Sequence, residues 1–153
     1  MFFPFFRKER RLVMIQQLVT SFVASAAFGI IFNTPRKSLL KCGFTGMVGW
    51  LLYVWLVNNQ VDSILASLVA AFVIAIISQI FAKIYKTPMI IFSVSGIIPL
   101  VPGGLAYDAM RNFVENDYNL AIQYASKAFM LSGAIAIGLI FSEVINQMIR
   151  KYR

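Results

Sequence analysis

The chain has 153 residues, 59% of them hydrophobic and only 13% charged, with a formal net charge of +8. Soluble domains carry about 25% charged residues, and the apolar residues here come in blocks too long for core helices, so the composition argues against a soluble globular protein and for an integral membrane protein. The basic excess flanks those blocks and forms no groove or aromatic platform, which makes the lipid bilayer the expected surrounding and leaves no nucleic acid among the expected partners.

Five transmembrane helices are predicted, in a single transmembrane domain covering 1–153. The first span, about 12–32, lies in the uncharged run from Leu12 to Pro35 and ends at Asn33-Thr34-Pro35-Arg36-Lys37. It follows a basic cluster, Arg7-Lys8-Glu9-Arg10-Arg11, but is too long for the apolar part of a secretory signal and has no A-x-A cleavage site after it, so it is expected to remain as a span. The second span, about 39–57, is closed by Asn58-Asn59-Gln60, and the third, about 61–82, by Lys83-Ile84-Tyr85-Lys86. The fourth, about 88–113, contains a proline-glycine break. The fifth, about 118–142, leads to the basic tail Arg150-Lys151-Tyr152-Arg153. These lengths suit a hydrocarbon layer of ~30 Å at ~1.5 Å of rise per residue.

Small residues recur four apart: Ser21, Ser25 and Gly29 in the first span, Cys42 and Gly46 in the second, with Gly49 one turn on. Ser63, Ser67, Ala71 and Ala75 do so in the third, and Ala134, Gly138 and Ser142 in the fifth. Such faces let helix backbones approach closely in lipid, and ordinary packing is enough to account for them. Cys42 is the single cysteine and there is no histidine, so an internal disulfide, a metal centre and a cofactor are not expected.

Basic residues set the expected orientation. The loops at 33–38 and 83–87 and the C-terminus share one side, with eight: Arg36, Lys37, Lys41, Lys83, Lys86, Arg150, Lys151 and Arg153. The other side has five: Arg7, Lys8, Arg10, Arg11 and Arg111. The positive-inside rule places the eight in the cytoplasm and the N-terminus outside, although the basic N-terminal cluster pulls the other way.

The stretch Ile97-Ile98-Pro99-Leu100-Val101-Pro102-Gly103-Gly104-Leu105-Ala106-Tyr107-Asp108-Ala109-Met110 interrupts the fourth span. Pro99 and Pro102 lack an N–H and disfavour helix in the residue before them, and Gly103-Gly104 adds freedom of φ, so about one turn is expected to unwind. From Pro88 to Pro99 is ~16 Å of helix, which puts the break near the membrane midplane. Discontinuous helices mark substrate sites of secondary transporters at that depth, and a half-helix starting near Gly103 would aim its positive end and free N–H groups into the gap, a setting for a carboxylate. A simple kink, or a loop between two separate helices, is the plainer reading.

Two ionisable residues share this region. Lys127 is ~13 Å into the fifth span and Asp108 lies just past the break. A charge at such depth is expected to face the interior and to be paired, so Asp108 and Lys127 are expected partners, with Gln123 one turn before Lys127 on the same face. Alternatively the fifth span starts later and Lys127 snorkels to the surface. Glu143, Asn146 and Gln147 mark the cytoplasmic end of that span.

The string Ile98-Pro99-Leu100-Val101-Pro102-Gly103-Gly104-Leu105-Ala106-Tyr107-Asp108-Ala109-Met110 closely resembles the Pro-x-x-Pro-Gly motif of the threonine/serine exporter family. Phe32-Asn33-Thr34-Pro35-Arg36, closing the first span, is similar to that family too. Only the proline-glycine motif is specific, and it carries over Pro99, Pro102 and Gly103. Length, five-span layout and basic tail are similar to the small subunit of its two-component members. The resemblance implies a multi-pass protein of the inner (plasma) membrane, half of a proton-motive-force-driven secondary exporter. A larger membrane subunit of the same family would be its partner. It implies a small carboxylate substrate, threonine, serine or a dicarboxylate such as succinate. The two halves would be inverted repeats with the site between them.

Two other classes compete. A structural or assembly subunit that touches no substrate would need no break at mid-depth. An intramembrane enzyme is disfavoured. The Tyr107-Asp108 pair resembles one element of intramembrane aspartyl proteases, but no second aspartate stands in a Gly-x-Gly-Asp setting, since Asp62 and Asp117 lie at span ends.

Overall fold

The computed structural model describes the backbone of residues 3–151 and the side chains of residues 13–149. The side chains of the basic cluster at 7–11 and of the tail at 150–153 lie outside it. Among the described residues the protein is all-α: α1 (Phe3–Ile31), α2 (Arg36–Asn58), α3 (Ser63–Tyr85), α4 (Ile90–Ile97) continued by a 3-10 turn (Ile98–Leu100), α5 (Gly103–Val114) and α6 (Tyr118–Lys151). Four helices are long and apolar enough to cross a membrane, and α4 with α5 makes a fifth crossing if counted as one span, bent by 53° at the break.

The ends follow local chemistry. Asp62 caps α3, its carboxylate accepting from the N–H of Ile64 at 3.3 Å. Asn33, Gln60, Lys86 and Asn116 take positive φ at the turns after α1, α2, α3 and α5. No glycine is used there; asparagine tolerates this conformation best of the four. α6 runs to Lys151, well past the expected end at 142. Glu143, Asn146 and Gln147 lie within the helix rather than at its end, since Glu and Gln are good helix formers and one Asn does not outweigh them. Likewise α1 begins at Phe3, ahead of its apolar part.

The bundle is held by close approach of backbones. Helix α1 packs on α2, α3 on α6, and α2 also on α3 and α4. At the α3–α6 crossing, a Cβ placed on Gly138 would meet the Leu68 carbonyl at 2.5 Å and the Phe72 amide nitrogen at 3.1 Å. Where α1, α2 and α4 meet, a Cβ on Gly46 would strike the Ser25 hydroxyl and lie 3.3 Å from the Gly96 carbonyl. The four-apart spacing of small residues therefore does close-packing work at Ser25, Gly46 and Gly138. With lipid as apolar as the side chains, contact and hydrogen bonding bind the helices rather than water exclusion. The apolar centre is Ala70, Ala71, Ile74, Leu100 and Ile135, joining α3, the 3-10 turn and α6.

Candidate functional site

The break is built in three steps. Helix α4 runs regularly to Ile97. The missing N–H of Pro99 then tightens the chain into a 3-10 turn, closed by the Val101 N–H on the Ile98 carbonyl at 3.2 Å. Val101 is extended (φ −62°, ψ 126°), as a residue before proline prefers to be. Pro102 (φ −77°, ψ 51°) then sets the start of α5 without a side-chain cap. The Gly103 N–H turns back on the Val101 carbonyl at 2.8 Å and the Ala106 N–H reaches the Pro102 carbonyl at 3.1 Å. The N–H groups of Gly104 and Leu105 are left as the free donors of the first turn.

The glycine pair acts differently from expectation. No glycine has positive φ, so Gly103 and Gly104 do not unwind the chain. They are the first residues of α5, where a side chain would find nothing within 4 Å. What they provide is an uncluttered approach to the free amides. The unwinding comes from the two prolines alone.

The break begins level with the middle of α3. Leu100 packs in the central cluster with Ile74, about halfway along α3. Below it the interior is polar and tight. Cys42 Sγ donates to the Ile91 carbonyl at 3.5 Å, and Ser95 Oγ to the same carbonyl at 2.6 Å. The Ser25 hydroxyl is fully buried with no hydrogen-bond partner. Thr45, Ser95 and Gly96 were not singled out from the sequence; the signal was Ser93-Val94-Ser95-Gly96, three small residues in one turn before the proline pair. Above the break, α5 has no buried residue and packs chiefly on α6.

The candidate residues divide accordingly. Pro99 and Pro102 are half-buried, Gly103 and Gly104 exposed, and all four lie together at the break. Asp108 is half-buried on α5, and its backbone carbonyl accepts from Asn112 Nδ2 at 2.7 Å. Gln123 and Lys127 are exposed on α6. The 115–117 turn makes α5 and α6 antiparallel neighbours, as expected, with residue 127 roughly level with residue 105 and residue 124 with residue 108. The expected Asp108–Lys127 ion pair is not formed. Among the described residues the ion pair within 4 Å is Arg111–Glu115, at 2.9 Å on one exposed helical turn. The two lie about one turn apart along the hairpin, and among the described residues neither has a charged partner within 4 Å. Charged and amide side chains are satisfied elsewhere: Gln79 Nε2 donates to the Ser142 carbonyl and hydroxyl, both at 3.1 Å, and Lys83 to Asn146 at 3.1 Å.

A cavity of about 110 Å³ lies between α1 and α2, lined by Met14, Gln17, Trp50, Val54 and Trp55 among others. Its lining includes none of the residues of the break. No group of three or more histidine, cysteine or acidic residues suited to a metal ion occurs among the described residues.

No solved structure matches the chain. A protein-family model described as "Threonine/Serine exporter, ThrE" matches residues 17–145, which takes in all the helices from the membrane part of α1 through most of α6. With the Pro-x-x-Pro-Gly break inside that match, the chain belongs to the threonine/serine exporter family.

Proposed function

We propose that the protein is the small half of a two-component secondary exporter for small carboxylate-bearing metabolites, threonine, serine or a dicarboxylate such as succinate. It supplies half of the transport path to a larger membrane subunit of the same family in the inner membrane. The observation that carries this reading is the start of α5. Its free amides at Gly104 and Leu105 stand just past the break on the exposed side of the chain, with nothing within 4 Å of the Cβ position of Gly103 or Gly104. A helix N-terminus of this kind favours an anion, through the free N–H groups and the helix dipole. Pro99 and Pro102 hold the break open; Gly103 and Gly104 keep the approach clear. Asp108, Gln123 and Lys127 lie along the hairpin that borders the gap.

The proposed cycle is alternating access. The rigid inner bundle and the bent α5–α6 hairpin tilt against the partner half and expose the α5 start to one side at a time. The substrate's carboxylate is held by backbone, so its remaining groups are free to be selected by the partner. The chain is oriented with its C-terminus and the loops at 33–38 and 83–87 in the cytoplasm, following the eight-to-five bias of basic residues.

The test is export from cells lacking both subunits and complemented with the pair, loaded in turn with threonine, serine and succinate. Restored efflux of at least one of them, lost with Gly103→Leu/Gly104→Leu at normal protein level, is the expected result. Unchanged efflux in that variant would move the site elsewhere, and no efflux of any carboxylate would leave a structural or assembly subunit. Cysteine labelling at Asn59, in a Cys42→Ser background, reports the orientation: modification from the outer side is expected, and modification only from the cytoplasmic side would reverse it.

A further inference from the structure

The two ends of the bundle differ in charge. Of the six acidic residues, Asp62, Asp108, Glu115 and Asp117 lie toward the end that holds the turns after α2 and α5, and Glu9 is near the N-terminus. Only Glu143 stands toward the other end, the one assigned to the cytoplasm, and it accepts from Gln147 at 3.2 Å. Against it that end sets Arg36, Lys37, Lys41, Lys83 and Lys86. Helices α1 and α3 finish there while α2 and α4 begin, so the helix dipoles largely cancel and the side chains set the sign.

The cations come from separate parts of the chain. Lys41 Nζ lies 3.0 Å from the centre of the Tyr85 ring. That contact brings the first turns of α2 against the end of α3, where Lys86 follows in left-handed backbone. Arg36, Lys37 and Lys86 are exposed, and among the described residues none has a carboxylate within 4 Å. Orientation needs basic residues beside the membrane, but not in a helix's first turn, where they meet the positive end of its dipole. Arg36 and Lys37 are nevertheless the first two residues of α2, with no acidic residue in that turn and no side-chain cap. The Ser38 N–H turns back on the Pro35 carbonyl at 2.7 Å, which leaves the N–H groups of Arg36 and Lys37 as free donors. In the loops that lead into Arg36 and out of Lys86, the hydroxyls of Thr34 and Thr87 are buried with no hydrogen-bond partner. The polar groups of this end are not satisfied by the chain alone.

Helix length says where the missing anion sits. Helices α2 and α3 have 23 residues each, or ~35 Å, against a hydrocarbon layer of ~30 Å. Their ends therefore reach just past that layer, among the lipid headgroups. A guanidinium, ammonium groups and free amides at that level suit a phosphate carried by a lipid.

We propose that the start of α2, with Arg36 and Lys37, together with Lys86 at the end of α3, binds the phosphate of an anionic phospholipid from the leaflet at that end. The lipid supplies the negative charge that the first turn of α2 lacks, and ties α2 to α3 where both leave the hydrocarbon. The site is independent of the reading of the chain as an exporter.

The experiment is native mass spectrometry of the purified full chain in a non-ionic detergent, titrated with phosphatidylglycerol, phosphatidylcholine or glycerol phosphate. In detergent the result does not depend on how a variant inserts. Phosphatidylglycerol is expected to be retained at least about tenfold more tightly than phosphatidylcholine, and glycerol phosphate not at all. Arg36→Gln with Lys37→Gln is expected to weaken retention about thirtyfold, the loss of two cations from a charged surface. Arg150→Gln with Lys151→Gln removes the same charge from the tail and should leave retention within about twofold. Lys37→Glu should abolish retention yet raise the melting temperature without lipid, because it gives the first turn of α2 its missing carboxylate. That variant keeps a folded protein in hand if the glutamine pair does not fold. Retention unchanged in the glutamine pair or in Lys37→Glu would overturn the proposal. So would a lower melting temperature in Lys37→Glu, an equal loss in the tail variant, or equal retention of phosphatidylcholine or glycerol phosphate.

Discussion

The two halves of the fourth span have opposite surroundings. In α4, Phe92, Ser93, Ser95 and Gly96 are buried against α2, α3 and α1. In α5, on the other side of a 53° bend, nothing is buried. Both halves carry glycine, but for different reasons. A Cβ on Gly96 would meet Thr45 at 2.8 Å and Ile74 at 3.0 Å, while one on Gly103 or Gly104 would meet nothing within 4 Å. The inner half is shaped by contacts within the chain. The outer half has no buried residue and keeps a clear approach to its backbone.

That contrast is broken most forcefully at the glycines. Gly96→Leu is expected to cost about 3 kcal/mol or more, because Thr45 and the core residue Ile74 have no room to retreat. It should show as loss of folded protein in mild detergent. Gly104→Leu is expected to leave stability within about 0.5 kcal/mol, yet to abolish export. A Gly104→Leu protein as unstable as Gly96→Leu would mean that α5 packs within the chain after all.

Straightening the span removes the contrast instead. With Pro99→Ala and Pro102→Ala together, the N–H groups return and the helix can continue through the break. The protein should still insert, since insertion follows overall hydrophobicity, while export falls at least about tenfold, a barrier change of only ~1.4 kcal/mol. Spin labels at Ile90 and Met110 should report a longer separation. An unchanged distance would show that neighbouring helices, and not the prolines, hold the bend.

A smaller effect is expected inside the packed region. Gln79→Leu deletes both bonds to Ser142, and interhelical hydrogen bonds in membranes average ~0.6 kcal/mol. A loss of that order in unfolding free energy is expected, with export retained. Loss of export at normal stability would give the α3–α6 contact a role in the transport cycle.

The smallest effect expected is a coupling. Asp108→Asn and Lys127→Met should each impair export or assembly. Because the two groups form no ion pair, their losses should add to within about 0.5 kcal/mol in a double-mutant cycle. A double variant that recovers most of either loss would show that the two meet in the assembled exporter.

Much of this was legible in the residues. The spans follow from runs of apolar side chains longer than ~20 residues, and the break from two prolines that remove backbone donors, both local properties. The small-residue faces at Ser25, Gly46 and Gly138 announced close crossings for the same reason. The Asp108–Lys127 pair was misjudged because depth along a helix can be counted from the sequence, whereas rotation about its axis and register against a neighbour cannot.

By itself, then, the sequence determined a membrane-spanning all-α chain of the exporter family, with one discontinuous helix whose interruption starts at Pro99. Tertiary structure alone decided which sides of those helices are covered. It put Ser25, Gly46 and Gly96 at one crossing, joined Gln79 to Ser142 across 63 residues of chain, and left α5 without a buried residue and Lys127 without an ion-pair partner among the described residues. The physical reason is that a lipid-facing helix and a partner-facing helix are both apolar along most of their length. Hydropathy records that a helix leaves water and does not record what it meets there; that depends on close approach between residues far apart in the chain.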